Sequence, residues 1–155
     1  MAALRIVEIV PGATIQDGGR CGWRRFGVTA GGAIDSFALA EGQTLLGNDP
    51  DAAALEMFAV GGKFRCCGEL AVATSGTRME ILVNRQPVRW RSVIRLRHDD
   101  RVEIGQASEG VYGYLHLPGG IDCPRILGSR STHDASGLGW TPAARRVAAP
   151  GSTRP

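Results

Sequence analysis

Short apolar runs, separated by turns rich in glycine, proline and asparagine, are the feature that most limits how this chain can fold. Eight such runs stand at 4–10, 55–60, 64–67, 70–74, 79–83, 88–96, 102–105 and 111–117. Runs of this length between turn residues are typical of strands. Many short strands in succession favour a barrel or a sandwich over parallel βαβ units. The sequence therefore predicts a mainly β fold.

One segment, 36–46, has the features of a helix. Asp35 or Ser36 can accept hydrogen bonds from the free N–H groups of its first turn, and Gly47 suits the left-handed position that ends a helix. The side chains expected to supply its apolar contacts are Phe37, Leu39, Ala40, Leu45 and Leu46. We expect one short helix to lie against an otherwise β domain.

Composition and charge exclude several classes of protein. With 43% apolar and 21% charged residues, the chain is neither a disordered nor a membrane protein. The net charge of the chain is +3. Its arginines alternate with apolar residues, as in Arg95-Leu96-Arg97, and do not form one basic face. This pattern argues against nucleic acid as a partner. Arg5 and Glu8 interrupt the first apolar stretch, which is unlike a secretion signal, so we expect a cytoplasmic location.

The four cysteines do not predict a metal site. They show no C-x-x-C spacing, and the adjacent pair Cys66 and Cys67 would point to opposite faces of a strand. We expect reduced cysteines and no bound metal.

Three glycine-containing loops carry most of the candidate chemistry: loop 1 (16–20), loop 2 (27–35) and loop 3 (119–134). In loop 1, successive N–H groups and Arg20 could bind an anion. The alternative is an Asp-Gly turn in which Asp17 bonds its own backbone. Loop 2 runs into the predicted helix, where backbone donors suit an anionic ligand, or where Asp35 simply caps the helix.

Loop 3 contains serine, histidine and aspartate close together in sequence, which invites comparison with a catalytic triad. Triads are assembled in space, and sequence neighbours rarely reach that geometry. A polar cluster of Arg130, Ser131 and Thr132 that orients a carboxylate or an amide is the better interpretation. Glu56 could act as an acid or base if it is buried, although strand carboxylates more often face solvent.

Taken in order, these segments resemble one known family. The matching segments are 14–20, Gly27-Val28, 32–35, 46–49, Leu55-Glu56, Gly119-Gly120-Ile121 and 127–132. This order and spacing resemble the C subunit of 5-oxoprolinase, a family also known as carboxyltransferase or allophanate hydrolase subunit 2.

The resemblance implies a fold, partners and a reaction. The implied architecture is a cyclophilin-like β-barrel. The implied partners are the B-type and A-type subunits of 5-oxoprolinase, which together with the C-type subunit open 5-oxoproline to glutamate using ATP. Relatives form the carboxyltransferase part of urea carboxylase, where carboxybiotin is the donor, and others antagonise a histidine-kinase inhibitor. The chain itself is expected to bind no cofactor, with biotin relevant only to the carboxyltransferase alternative.

The resemblance also supplies the candidate site. Hydrolysis of a lactam needs an activated carbonyl and a held carboxylate, which arginines and loop N–H groups can provide. The candidate catalytic residues are Asp17, Arg20 and Asp35. The candidate substrate-binding residues are Asn48, Arg130, Ser131 and Thr132.

The resemblance covers residues 4–139, which correspond to the N-terminal half of the family's domain. From 140 to 155 the sequence differs from the family and has no strand or helix periodicity, so a disordered tail is expected there. These two observations suggest a truncated or frame-shifted product that is inactive alone and poorly soluble, because an incomplete barrel exposes strand edges.

Overall fold

The structure, a computed structural model, describes residues 2–140 and 146–148. Its strands are β1 (Ala3–Ile9), β2 (Thr14–Gln16), β3 (Ala54–Phe58), β4 (Gly62–Cys67), β5 (Leu70–Gly76), β6 (Met79–Val83), β7 (Gln86–Pro87), β8 (Val93–Leu96), β9 (Arg101–Ala107), β10 (Tyr112–His116) and β11 (Arg146–Ala148). The helix α1 spans Ser36–Leu46, and two 3-10 turns span Arg24–Phe26 and Asp134–Ser136. The prediction of a mainly β fold with one short helix is confirmed.

The strands form two antiparallel sheets. The six-stranded sheet has the order β11-β1-β4-β9-β6-β7, and the five-stranded sheet has the order β2-β3-β10-β5-β8. Strand hydrogen bonds do not join the two sheets into a closed barrel within the described residues, so the barrel expected from the sequence is open here.

One hydrophobic cluster joins the two sheets. Phe64 and Val102 enter it from the six-stranded sheet, and Leu55, Val72 and Leu115 enter it from the five-stranded sheet. Burial alternates along the strands, as in β8, where Ile94 and Leu96 are buried between exposed neighbours. Because each buried side chain of this size contributes about 1.5–3 kcal/mol, this cluster is the main source of stability.

Helix α1 lies on the outer face of the five-stranded sheet, against β5 and β10. Asp35 is its N-cap and accepts from the Ala38 N–H at 2.9 Å, and Gly47 ends it at φ 66°, as predicted. The buried residues of the helix are Ala38, Leu39, Gly42 and Gln43.

The prediction of the helix's apolar contacts is partly wrong. Phe37 is 88% exposed, and Ala40 and Leu45 also face solvent. Apart from Leu39, the buried positions of the helix are small or polar because β10 presents Tyr114 and His116 on that side, which leaves little room beneath the helix.

Only the second half of the predicted strand 88–96 is a strand, β8, and residues 88–92 form the connection from β7. The last bond of this segment to β6 is made by the Val88 N–H, which donates to the Ile81 carbonyl at 3.0 Å. Arg91 takes a left-handed conformation, with φ at 56°. Trp90 is consequently directed into the core, where its Nε1–H donates to the Gly76 carbonyl at 3.4 Å.

The C-terminal segment also differs from the prediction at three residues. Arg146–Ala148 pair with β1 as an antiparallel strand, with Leu4 opposite Val147. Residues 141–145 and 149–155, the remainder of the predicted disordered tail after Trp140, lie outside the described part of the chain. Among the described residues, no helix is long and apolar enough to cross a bilayer.

We predict that Gly42→Ala destabilises the protein, although alanine usually strengthens a helix. A Cβ at this position would lie 2.0 Å from Nε2 of His116, so the helix must move away from the sheet. We expect the free energy of unfolding, measured by urea denaturation, to fall by about 1–3 kcal/mol. Thr44→Ala, at an exposed position of the same helix, is the control and should change it by less than about 0.5 kcal/mol. An increase with Gly42→Ala would contradict the packing described.

Candidate functional site

The three glycine-containing loops meet beside β2. The Arg20 N–H of loop 1 donates to the Ala30 carbonyl of loop 2 at 2.7 Å, and the Ala33 N–H donates back to the Asp17 carbonyl at 3.0 Å. Loop 3 joins them through the Thr132 N–H, which donates to the Ile15 carbonyl at 2.8 Å. Loops far apart in sequence are thus brought together.

Glycine is required where loops 1 and 2 touch. A Cβ on Gly19 would lie 2.7 Å from the Ala30 carbonyl oxygen, and a Cβ on Gly32 would lie 3.0 Å from the Gly19 nitrogen. Both glycines also have positive φ, at 85° and 92°. The two backbones therefore approach each other more closely than side chains would allow.

Asp17 is the hydrogen-bond acceptor at the centre of this junction. Its Oδ1 accepts from the Gly19 N–H at 2.8 Å and from the hydroxyls of Ser129 and Ser131, each at 2.6 Å. Its Oδ2 accepts from the Arg130 N–H at 2.7 Å. Burial alone raises the pKa of Asp17, but these four hydrogen bonds outweigh burial and hold the pKa below its ordinary value.

The Asp-Gly turn expected as one interpretation of loop 1 is present, because Asp17 bonds the N–H two residues onward. The carboxylate is also only 3% exposed. Its geometry is that of a group that orders the loops, and a direct catalytic role for it stays a prediction.

Arg20 also holds loop 3, but it donates to carbonyl groups, whereas Asp17 accepts from N–H and hydroxyl groups. Its Nη2 donates to the Ser131 carbonyl, and its Nε donates to the Ile126 carbonyl at 3.5 Å. The side chain is 1% exposed, and its Nη1 has no hydrogen-bond partner among the described residues. Asp17 therefore satisfies donors of loop 3 while Arg20 satisfies its carbonyls.

The substrate-binding candidates of loop 3 lie in this junction too. Ser131 is fully buried, and the Thr132 hydroxyl accepts from the Ile15 N–H at 3.3 Å. Arg130 is partly buried, and its Nε donates to the Cys123 carbonyl at 3.0 Å. Of these three side chains, Arg130 has the most surface available for a ligand.

The two remaining candidates sit at opposite ends of α1. Asp35 is exposed at the helix N-terminus, next to the loop junction. Asn48 follows the C-terminus and bonds the Leu117 carbonyl and the Gly119 N–H, at 2.8 and 2.7 Å. Because an 11-residue helix is about 16 Å long, the structure does not bring Asn48 to the same place as Asp35.

Glu56 and Tyr114 hold the end of loop 2. Glu56 is 4% exposed, and its Oε2 accepts from the Tyr114 hydroxyl at 2.7 Å and from the Ile34 N–H at 2.9 Å. The Tyr114 hydroxyl in turn accepts from the Asp35 N–H at 2.9 Å. Burial and then the Glu56 contact raise the pKa of Tyr114 strongly, so it remains a hydroxyl donor. Glu56 was a candidate in the sequence, but no local signal pointed to Tyr114.

His116 and Ser75 form a second polar pair beneath the helix that sequence reasoning missed. The Ser75 hydroxyl donates to the Ala38 carbonyl at 2.6 Å and lies 2.8 Å from Nε2 of His116. Burial lowers the pKa of His116 to about 4, so the ring is neutral at pH 7. Since the serine proton is already donated, we assign the ring proton to Nε2.

The structure does not assemble a triad from loop 3. The hydroxyls of Ser129 and Ser131 both donate to Asp17. His133 instead bonds Thr29 Oγ1 through Nε2 at 2.6 Å and Ser136 Oγ through Nδ1 at 2.5 Å.

Across residues 2–140, no group of three His, Cys, Asp or Glu side chains is arranged to hold a metal ion.

The sequence matches the family model of the carboxyltransferase domain, subdomain A and B, over residues 26–150. The chain belongs to this family. Among curated relatives, it is 36% identical over 129 residues to the 5-oxoprolinase C subunit of Haemophilus influenzae, covering 82% of this chain and 41% of that protein. It is 33% identical over 138 residues to the 5-oxoprolinase C subunit of Escherichia coli, covering 88% and 44%.

Solved structures of the family share the fold. The crystal structure of the Kluyveromyces lactis urea amidolyase superposes with a TM-score of 0.85 at 30% identity, covering 95% of this chain and 9% of that one. The chain thus spans less than half the length of the bacterial relatives and a small part of the yeast enzyme.

We predict that Asp17→Asn removes a pH-dependent part of the stability. Because folding lowers the pKa of Asp17 below its unfolded value of 3.8, the carboxylate stabilises the fold above that pH, and the contribution disappears as pH falls through the folded pKa. The variant should lose about 1–3 kcal/mol at pH 7 and show a smaller further loss between pH 5 and pH 2. Urea denaturation at each pH measures this.

Asp134→Asn, in an exposed 3-10 turn, is the matched control and should leave the pH profile of the wild-type protein intact. A profile of Asp17→Asn that parallels the wild type would show that the carboxylate does not titrate as described.

Proposed function

We propose that this chain is part of a C-type subunit of a 5-oxoprolinase, which acts in the cytoplasm together with A-type and B-type partner proteins. The reaction is the ATP-dependent hydrolysis of 5-oxoproline to glutamate. One observation carries the proposal: the loop junction, with Asp17 and Arg20 at its centre, lies in a chain that is 33–36% identical to two 5-oxoprolinase C subunits. In this proposal ATP is used by the complex, and the chain itself binds no cofactor.

The geometry supports a division of labour among the candidate residues. Asp17 and Arg20 are buried, and their side chains form hydrogen bonds with loop 3, so we propose that they position the loops. Asp35 and Arg130 border the junction with side-chain surface that a ligand can reach. An anionic lactam matches these groups, since Arg130 can hold a carboxylate and Asp35 can act as an acid or base.

A carboxyltransferase of the urea carboxylase type is the second candidate. The family model and the likeness to urea amidolyase at 30% identity favour it. Carboxybiotin would then be the donor, and a biotinyl domain encoded nearby would support this alternative.

The proposed activity requires more protein than this chain. The chain covers 41–44% of the length of the two bacterial relatives. Three large apolar side chains in and beside loop 2 are also strongly exposed, Phe26 and Ile34 at 62% and 66% and Phe37 at 88%. We propose that the rest of the domain, or a partner protein, covers them.

The central test is a reconstitution. The chain is mixed with the A-type and B-type partner proteins, 5-oxoproline and ATP, with and without the remaining half of a C-type subunit expressed separately, and glutamate is measured. We expect glutamate only in the complete mixture. Its absence there would contradict the proposal, and biotin-dependent carboxyl transfer to urea would then favour the second candidate. Stable binding of the partners without any turnover would indicate a regulator.

Asp35→Asn is the sharpest variant for the complete mixture. Asparagine caps a helix as well as aspartate does, so α1 should persist while the charge is removed. We expect turnover to fall about a hundredfold with little change in the thermal midpoint. Asp134→Asn, which removes the same charge at an exposed site, serves as the control and should leave turnover unchanged. Unchanged turnover would exclude Asp35 as the acid or base without affecting the proposed reaction.

The exposed apolar residues predict self-association of the isolated chain. Sedimentation velocity should show oligomers that decrease in Phe37→Gln, whose thermal midpoint should match the wild type because the side chain is 88% exposed. Ala40→Gln, on the exposed face of the same helix, is the control. A monodisperse wild-type chain would contradict this prediction.

A further inference from the structure

Strand β8 is an edge strand of the five-stranded sheet. Two other edge strands are protected against further pairing in ways that β8 is not. At the opposite end of the same sheet, loop 3 covers β2 through the Thr132 N–H bond to Ile15 and the Asp17 N–H bond to Ser131 Oγ. At one end of the six-stranded sheet, β7 carries Pro87, which blocks further pairing. In the described residues, β8 has β5 as its single neighbour.

The hydrogen-bond register identifies which backbone groups of β8 are free. The Thr74 N–H donates to the Ser92 carbonyl, which makes this a hydrogen-bonded pair of the β5–β8 ladder. Antiparallel pairs alternate, so Ile94 and Leu96 also bond β5. The N–H and C=O groups of Val93 and Arg95 therefore point away from the sheet.

The surface around this edge carries positive charge. Arg95 is exposed on β8, and Arg89, Arg91 and Arg97 are exposed on either side of it. Within the described part of the chain, Arg91 is paired with Glu41 at 3.5 Å, whereas the other three arginines form no ion pair.

A groove of about 530 Å³ lies across β8 and the start of β5, next to this edge. It is lined by Glu69, Leu70, Ala71, Val93 and 95–97. Val93 is 42% exposed in it, next to the arginines. The edge thus combines free backbone groups, an apolar contact and positive charge.

We propose that β8 binds an extended acidic segment of a partner protein as an added strand of the five-stranded sheet. The backbone of the segment would pair with Val93 and Arg95, and its acidic side chains would lie beside Arg95 and its flanking arginines. This proposal does not depend on the proposed reaction.

The arginines make the other occupants less suitable. Two copies of the chain joined through β8 would place arginines across from arginines, and like charges on neighbouring strands are destabilising. A nucleic acid would use the charges but not the strand-like donors and acceptors of Val93 and Arg95.

The test uses a fluorescent octapeptide that alternates Glu and Val, with its Lys-for-Glu counterpart as the opposite-charge probe. We expect the acidic peptide to bind the full chain and to slow hydrogen exchange at the amides of Val93 and Arg95. Arg95→Glu should weaken binding about tenfold or more. Arg101→Glu, the same charge change at an exposed site on β9 of the other sheet, should not.

Val93→Pro separates strand addition from simple charge attraction. Proline removes an outward N–H that the β5–β8 ladder does not use, so the fold should persist while peptide binding is lost. If that variant unfolds, exchange protection in the wild-type chain decides instead. Equal binding of the lysine peptide, unprotected Val93 and Arg95 amides, dimerisation through β8, or equal affinity for a single-stranded oligonucleotide would each overturn the proposal.

Discussion

The opposed hydrogen bonding of Asp17 and Arg20 to loop 3 is the constraint on which the candidate site depends. Loop 3 has little regular secondary structure where it is buried, so its N–H and C=O groups need other partners. Asp17 accepts from Ser129, Arg130 and Ser131, and Arg20 donates to the carbonyl of Ser131. The carboxylate of Asp17 and the guanidinium of Arg20, both in one short turn, thereby provide the hydrogen bonds that a neighbouring strand would otherwise provide. They fix loop 3 against β2.

Polar side chains also set the position of loop 2 and of the helix that follows it. Glu56 and Tyr114 hold the N–H groups that precede α1, and Ser75 holds a carbonyl within its first turns. Buried polar groups are costly when unpaired, so a shifted helix would leave several of them without partners. The sheet therefore specifies the orientation of α1 through these hydrogen bonds as well as through the apolar packing of Ala38 and Leu39.

The local parts of this arrangement could be predicted from the sequence, and the long-range parts could not. The bounds of α1 followed from Asp35 and Gly47, which act on their own helix ends, and the Asp-Gly turn followed from loop 1 alone. The exposure of Phe37 depends on how much space Tyr114 and His116 leave under the helix, which no local pattern contains. Trp90 likewise interrupts a strand-like run because the core has a place for its ring beside Gly113, within reach of the Gly76 carbonyl.

The sequence separation within the loop junction has a consequence for synthesis on the ribosome. Asp17 lies 112 residues before Ser129, and Thr132 lies 117 residues after Ile15. Contacts this distant carry a large loop-closure entropy and form late. Until residues 129–132 have emerged, the nascent chain must therefore keep a carboxylate and a guanidinium hydrated, so the junction closes only after strands β1 to β10 have been synthesised.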